Sequence, residues 1–285
     1  MTFAWPNHFP TLSAPLADPK LRVLSLGAGV QSSTLALAAA RGDVGPMPDA
    51  AIFANTGWEP WRVMRHLAWL QSVLPFPVHE VSDGNLRQSI LDGREKRAGR
   101  FASVPWFILQ PNGKVGMGRR QCTGHYKIDP VARHIRQLLG VDLRARIPAD
   151  SVEIWIGISV DEVIRMKPSK RRFIRNRWPL IEAQMSRRDC ERWLAERQYS
   201  APRSACIGCP FRKNAEWRDM RDNHPDEWAE AVEFDRLIRR GGSTRELRGE
   251  QFMHKSCLPL DQAPIDDDNE IELGFDVECE GMCGV

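Results

Sequence analysis

Three short apolar runs near the start of the chain, each followed by a turn and then a helical pattern, constrain the fold most. Leu21-Arg22-Val23-Leu24-Ser25-Leu26-Gly27-Ala28-Gly29 reads as a buried parallel strand closed by a glycine turn. Val30 to Arg41 follows as a helix, with Gly42 placed to stop it. Residues 49–57 repeat the pattern, with Thr56 and Glu59 at capping-box spacing, then Val63, Met64, Leu67, Leu70 and Leu74 at helical spacing. Residues 76–82 form a third short strand and 151–159 a late one. Strands alternating with helices predict an α/β fold, a Rossmann-like parallel sheet flanked by helices. Further helices are expected from Asp129-Pro130 to Leu139 and over 186–197, 212–222 and 225–240.

The chain of 285 residues is long enough to bury a core without disulfides. No run of about 18 apolar residues suggests a membrane span, and the proline-rich start lacks the basic and apolar pattern of a secretory signal, so a cytoplasmic protein with no membrane partner is expected. The net charge of +3 conceals an asymmetry: residues 261–285 carry nine acidic and no Lys or Arg side chains, leaving 40 basic against 28 acidic ones in the first 260, a balance of +12. A basic body favours a polyanion, whether nucleotide phosphates or nucleic acid, although an unevenly charged solvated surface gives the same count. The expected organisation is an extended arm (1–20), a nucleotide-binding α/β domain (21–185), a helical cysteine-bearing extension (186–260) and an acidic tail (261–285).

In an open α/β sheet, a strand–glycine turn–helix directs backbone N–H groups and a helix N-terminus at an anion. Ser25, Gly27, Ala28, Gly29, Gln31, Ser32 and Ser33 make up that region here. The turn has no Gly-Lys-Ser/Thr, so it is not a Walker A loop, and Ser32 replaces the third glycine of a dinucleotide fingerprint. Gly27-Ala28-Gly29-Val30-Gln31-Ser32 resembles the PP-loop of the adenine nucleotide α-hydrolase-like superfamily, and within it the phosphoadenosine phosphosulfate (PAPS) reductase-like branch. The turn Asn55-Thr56-Gly57 is similar to that family's Asp-Thr-Gly turn bordering the nucleotide. Gln31 and Asn55 stand where ATP-cleaving relatives carry acids, and a neutral amide holds a divalent cation less well than a carboxylate.

The seven cysteines are an odd number, and metal or redox chemistry is a better reading than a disulfide framework. Cys206-Ile207-Gly208-Cys209 is a CxxC turn, suited to gripping one metal ion or a cluster. Cys122-Thr123-Gly124-His125-Tyr126-Lys127 resembles the segment that gives the family's iron–sulfur members cysteine ligands and a nearby lysine, with Thr123 where tandem cysteines are usual. The resemblance implies a [4Fe–4S] cluster on Cys122, Cys206, Cys209 and Cys257, with zinc as the alternative, offset by Lys127, Arg203, Arg212 and Lys213. Glu278-Cys279 is similar to the reductases' C-terminal motif, which makes Cys279 the nucleophile, Cys283 its resolving partner and Lys127 a further catalytic residue. In the competing reading Cys279 or Cys283 is a cluster ligand and Cys257 a spectator. Cys190 reads as an ordinary buried thiol.

Asp161 and Glu162 close the late strand and are placed to orient a ribose or a metal, or to favour a helix N-terminus. Between Arg165 and Arg177 seven of thirteen residues are basic and none is acidic. Arg165, Arg171 and Arg172 are therefore candidates for nucleotide phosphates, and the density of charge also suits a nucleic-acid backbone. Three functions follow: a PAPS reductase-like enzyme using PAPS or adenylyl sulfate with a thiol donor such as thioredoxin; an ATP-dependent iron–sulfur sulfurtransferase acting on tRNA or DNA; and a non-catalytic nucleotide- or nucleic-acid-binding partner.

Overall fold

The computed structural model describes residues 15–92, 104–239 and 249–267. Five parallel strands form the central sheet in the order β3-β2-β1-β6-β7: β1 (Leu21–Leu26), β2 (Ala50–Asn55), β3 (Val78–Ser82), β6 (Val152–Ile156) and β7 (Ile174–Arg177). The expected Rossmann-like α/β architecture is present.

Both faces of the sheet are buried, and the alternation along each strand shows how. Leu24 and Leu26 of β1, Ala51 and Phe53 of β2 and Trp155 of β6 face one core, whereas Val23, Ile52, Ala54, Ile154 and Ile156 face the other. The first core is covered by α1 (Val30–Ala40), α2 (Trp61–Val73) and α6 (Arg187–Ala195), and the second by α4 (Asp129–Leu138). Helix α1 is buried from Val30 through Ala39, so its small residues are needed to let it lie against both the sheet and α6.

Helix α6, which follows residue 185, packs in the same core as the sheet. Cys190, Trp193 and Leu194 of α6 belong to the nucleotide-domain core, and Cys190 is fully buried as expected. A third core joins α3 (Leu86–Leu91), Trp58, Trp106 and Tyr126 to α7 (Asn214–Asn223) and α8 (Pro225–Ile238).

Two features escape the periodicity. Residues 104–120 contain β4 (Phe107–Leu109) and β5 (Val115–Met117), which pair antiparallel and are joined by β8 (Glu250–Phe252) in a small second sheet. The basic stretch contains β7 and runs into the short helix α5 (Pro179–Glu182). The acidic tail also begins later than expected: Ile265 is buried, Arg218 donates to its carbonyl (2.9 Å), and Arg221 pairs with Asp266. Buried Asp235 fixes the preceding segment by accepting the N–H groups of Met253 and Leu260. Among the described residues no helix is long and apolar enough to cross a membrane.

Candidate functional site

The chain leaves β1 through α1 to β2 and β3 on one side, then returns to β6 and β7 on the other. The strand order thus reverses between β1 and β6, and the carboxyl ends of these two strands border the crevice where open α/β sheets bind ligands. The glycine turn stands there. Ala28 has φ of 56°, a left-handed conformation that costs energy for any residue with a Cβ and is found where a loop is held in one shape. Gly157, beyond β6, lies so close that an added Cβ would come within 3.0 Å of the Ser32 nitrogen.

Several side chains expected to meet a ligand instead hold the loop. Ser32 Oγ accepts from the N–H groups of Gly27 (3.2 Å) and Gly29 (3.3 Å). Ser33 Oγ is 2.8 Å from His66 Nε2 of α2. Burial of His66 lowers its pKa to about 4, so the ring is neutral near pH 7. Ser25 is buried within β1.

Gln31 is fully buried and reaches across to β6's end, where its Nε2 donates to Glu162 (3.1 Å) and more weakly to Ser159 (3.4 Å). Its Oε1 accepts from Arg187 (3.2 Å) at the start of α6. Glu162 also pairs with Arg165, and Asp161 accepts the Arg187 backbone N–H (3.0 Å). Arg187 was not among the sequence candidates, because its only local signal is its position in the Ser186–Asp189 capping box.

The turn after β2 is equally preorganised. Asn55 donates to Glu80 (2.6 Å) and accepts from the Gly57 N–H (2.7 Å), and Gly57 has φ of +69° where a Cβ would strike Asn85. Thr56 donates to Glu59 (2.8 Å), but α2 starts at Trp61 behind Pro60, so this pair braces the turn rather than capping the helix.

Thr56 also lines a cleft with Cys122, Lys127, Cys206, Cys209 and Arg120. The CxxC turn is docked on the β2–α2 loop: Ile207 donates to the Trp58 carbonyl (3.0 Å), Trp106 Nε1 donates to the Gly208 carbonyl (3.1 Å), and the Gly208 Cα faces the Trp58 ring. Cys122 comes from the other side, just before a π-helical turn, Gly124–Ile128, that buries Lys127. Such turns are rare and often occur at functional sites.

The two thiols of the CxxC are hydrogen-bonded to each other. Cys206 donates to Cys209, which lowers the Cys209 pKa to about 5, helped by Arg203, Arg212 and the Phe211 N–H, while the Cys206 pKa is raised well above the thiol range. Arg212 is buried, and desolvation with the nearby Arg203 lowers its pKa to about 10. Its Nη2 donates to the carbonyls of Ala205 and Cys206, and its buried Nε has no hydrogen-bond partner. Arg203 pairs with Glu216 and Arg212 lies over the Trp217 ring, and both bring positive charge beside the thiols.

Cys257 does not line this cleft. It packs with Phe107 and Phe252 between the small sheet and its own turn, where burial raises its pKa, so the expected fourth ligand is not brought to the other three. Among the described residues no three His, Cys, Asp or Glu side chains converge on a single ion-sized point. Cys279 and Cys283 lie outside the described residues.

The basic stretch is largely neutralised within the protein. Arg165 pairs with Glu162, Arg171 with Asp129 (2.7 Å), Arg175 with Asp150 (2.6 Å) and Arg177 with Glu182 (2.8 Å). Arg165 and Arg171 are thus held by carboxylates, while Arg172 is exposed. Trp155, Trp178 and Trp217 are core residues. No protein-family model matches the chain, and no curated protein does.

Proposed function

We propose that the chain is a PAPS reductase-like enzyme that binds an adenine nucleotide at the glycine turn and handles its sulfur at the thiol cleft. The observation that carries this reading is the position of Thr56, in the turn after β2, the strand next to β1, where it also lines the cleft with three cysteines and Lys127. Nucleotide and thiol chemistry therefore meet on one edge of the sheet.

Cys122, Cys206 and Cys209 are the residues that would hold an iron–sulfur cluster, and their sulfur donors beside Arg212 and Lys127 fit an anionic group. When bound, such a cluster supplies electrostatic and redox chemistry beside the nucleotide's sulfur. The chain's own contributions are the shaped glycine turn, a Lys127 ammonium near the thiols, and water exclusion by the surrounding aromatic core. A tail thiolate, Cys279, would attack the sulfonyl sulfur and displace the nucleotide phosphate. Attack by an external thiol on the Cys279 sulfur would then form a disulfide and release sulfite.

A second reading is favoured by one observation: among the described residues three cysteines line the cleft, and a cluster held by three thiolates would have an open site, which suits carriage of an extra sulfur by an ATP-dependent sulfurtransferase. Sulfite release from PAPS with a thiol reductant separates the two. The reductase reading predicts turnover that disappears in Cys279→Ser; absence of turnover, with nucleotide-dependent sulfur transfer to RNA or DNA, would replace it with the second.

A further inference from the structure

We propose that His79 and His134 form a binding site for a divalent metal ion of the zinc, nickel and copper group, which ties the edge of the central sheet to the helix that covers it. The inference stands apart from the nucleotide and cluster reading above, because neither histidine lines the thiol cleft.

Strand β3 is an edge of the five-stranded sheet and pairs only with β2. His79, its second residue, lies against His134 of α4: the ring centres are 4.7 Å apart and the planes are inclined by 56°. On the helix, His134 and Gln137 are three residues apart and so share a face. Gln137 Oε1 accepts from His134 Nδ1 at 2.9 Å. In the neutral ring the proton therefore sits on Nδ1 and the lone pair on Nε2. That Nε2 is shielded from solvent and has no hydrogen-bond partner among the described residues. A buried acceptor left in this state costs free energy unless a ligand takes its lone pair. The His79 imidazole likewise makes no hydrogen bond among the described residues.

The spacing of the rings fits one ion. A nitrogen about 2.0–2.1 Å from the metal puts its ring centre about 3.2 Å away, so an angle of about 90–110° at the ion sets two centres about 4.5–5.2 Å apart. The observed 4.7 Å falls in that interval. The bond from His134 Nδ1 to an amide oxygen is the outer contact that fixes the tautomer of a metal-binding histidine. Imidazole nitrogens suit Zn²⁺, Ni²⁺ and Cu²⁺ rather than Mg²⁺ or Ca²⁺. Two neighbouring cations do not oppose the ion strongly: Arg133 pairs with Asp83 just beyond β3, and Arg136 is turned to the carbonyls of Asp142 and Ala145. Among the described residues no third His, Cys, Asp or Glu joins the pair, so water completes the coordination.

The test is titration of the full-length protein, isolated without oxygen, with Zn²⁺ alone near neutral pH, followed by calorimetry and by the ring resonances of isotope-labelled histidine. Zn²⁺ taken up at the thiol cleft is common to wild type and histidine variants, so their comparison isolates the imidazole pair. One site should be lost, or weakened by about tenfold or more, in His79→Ala and in His134→Ala alike, with little further loss in the double variant. Gln137→Ala should weaken it by about tenfold through the tautomer it sets. The ring signals of the two histidines should shift together, and Zn²⁺ should raise the melting temperature of the wild type more than that of the double variant. Unchanged Zn²⁺ affinity and stoichiometry in a folded double variant, or a site that depends on only one of the two histidines, would overturn the inference and leave the cluster reading untouched.

Discussion

Replacing Gly208 by alanine is expected to dislodge the CxxC turn from the nucleotide-facing loop. A Cβ at this position would lie 1.9 Å from Trp58 Cη2 and 2.1 Å from Cζ3, inside any tolerable contact. The indole cannot swing away freely, because its Nε1 donates to Glu230 (2.8 Å) and its ring packs edge-on against Phe234 at 4.4 Å. Overpacking of a fixed core costs about 1–3 kcal/mol, and at about 2–4 °C per kcal/mol for a chain of this size the melting temperature should fall by roughly 2–12 °C. Thermal unfolding followed by circular dichroism in reductant measures it, with Gly124→Ala as the control, since a Cβ there meets nothing within 4 Å. The double variant Gly208→Ala/Trp58→Leu should be less destabilised than the sum of its parts, because the smaller side chain removes the clash. An unchanged melting temperature in Gly208→Ala, or strict additivity in the double variant, would refute the close docking of the turn on Trp58.

Two other predictions concern buried ionisable groups. His66 should titrate near pH 4 when its ring resonances are followed by NMR; because its folded pKa lies below the unfolded value, the associated stability is complete above about pH 6.5 and is lost as the pH falls towards 4, so a midpoint near 6.5 would contradict its burial against Ser33. Asp235→Ala should strip the acceptors from the N–H groups of Met253 and Leu260, costing about 1–3 kcal/mol for each donor left unsatisfied, and should speed proteolysis within 249–267; unaltered cleavage would show that Asp235 does not anchor this segment.

The parts of the fold legible in the sequence are those written in local periodicity. The apolar runs ending in Gly27–Gly29 and Asn55–Gly57 mark strands whose ends carry the turns, and the helices α4, α6, α7 and α8 begin close to the expected residues. The short strands β4, β5, β7 and β8 were not legible, because three or four residues are too few for an alternation to stand out, and β7 and β8 pair with strands well removed in sequence. The basic run illustrates a different limit: charge density is a property of sequence, but Asp129, Asp150 and Glu182, which neutralise Arg171, Arg175 and Arg177, are assigned to them only by the fold. At the site, the motifs around Cys122, Cys206, Cys209 and Thr56 were legible and the fold gathers them. Cys257 shares no motif with them, and its choice as a fourth ligand in place of the one missing at Thr123 put it with residues it does not meet. Arg187 and Glu162 acquire their importance only from the reversal of strand order that sets α6 and the end of β6 beside the glycine turn.

The central claim, that Cys122, Cys206 and Cys209 together anchor an iron–sulfur cluster, is tested most directly by iron and acid-labile sulfide analysis of the full-length protein isolated without oxygen, alongside single serine variants of these cysteines and of Cys257. The account predicts about four iron and four sulfide per chain in the wild type and in Cys257→Ser, with loss of both elements in each of the other three variants. A colourless wild-type protein carrying one zinc ion, or a cluster that survives Cys122→Ser but not Cys257→Ser, would contradict it.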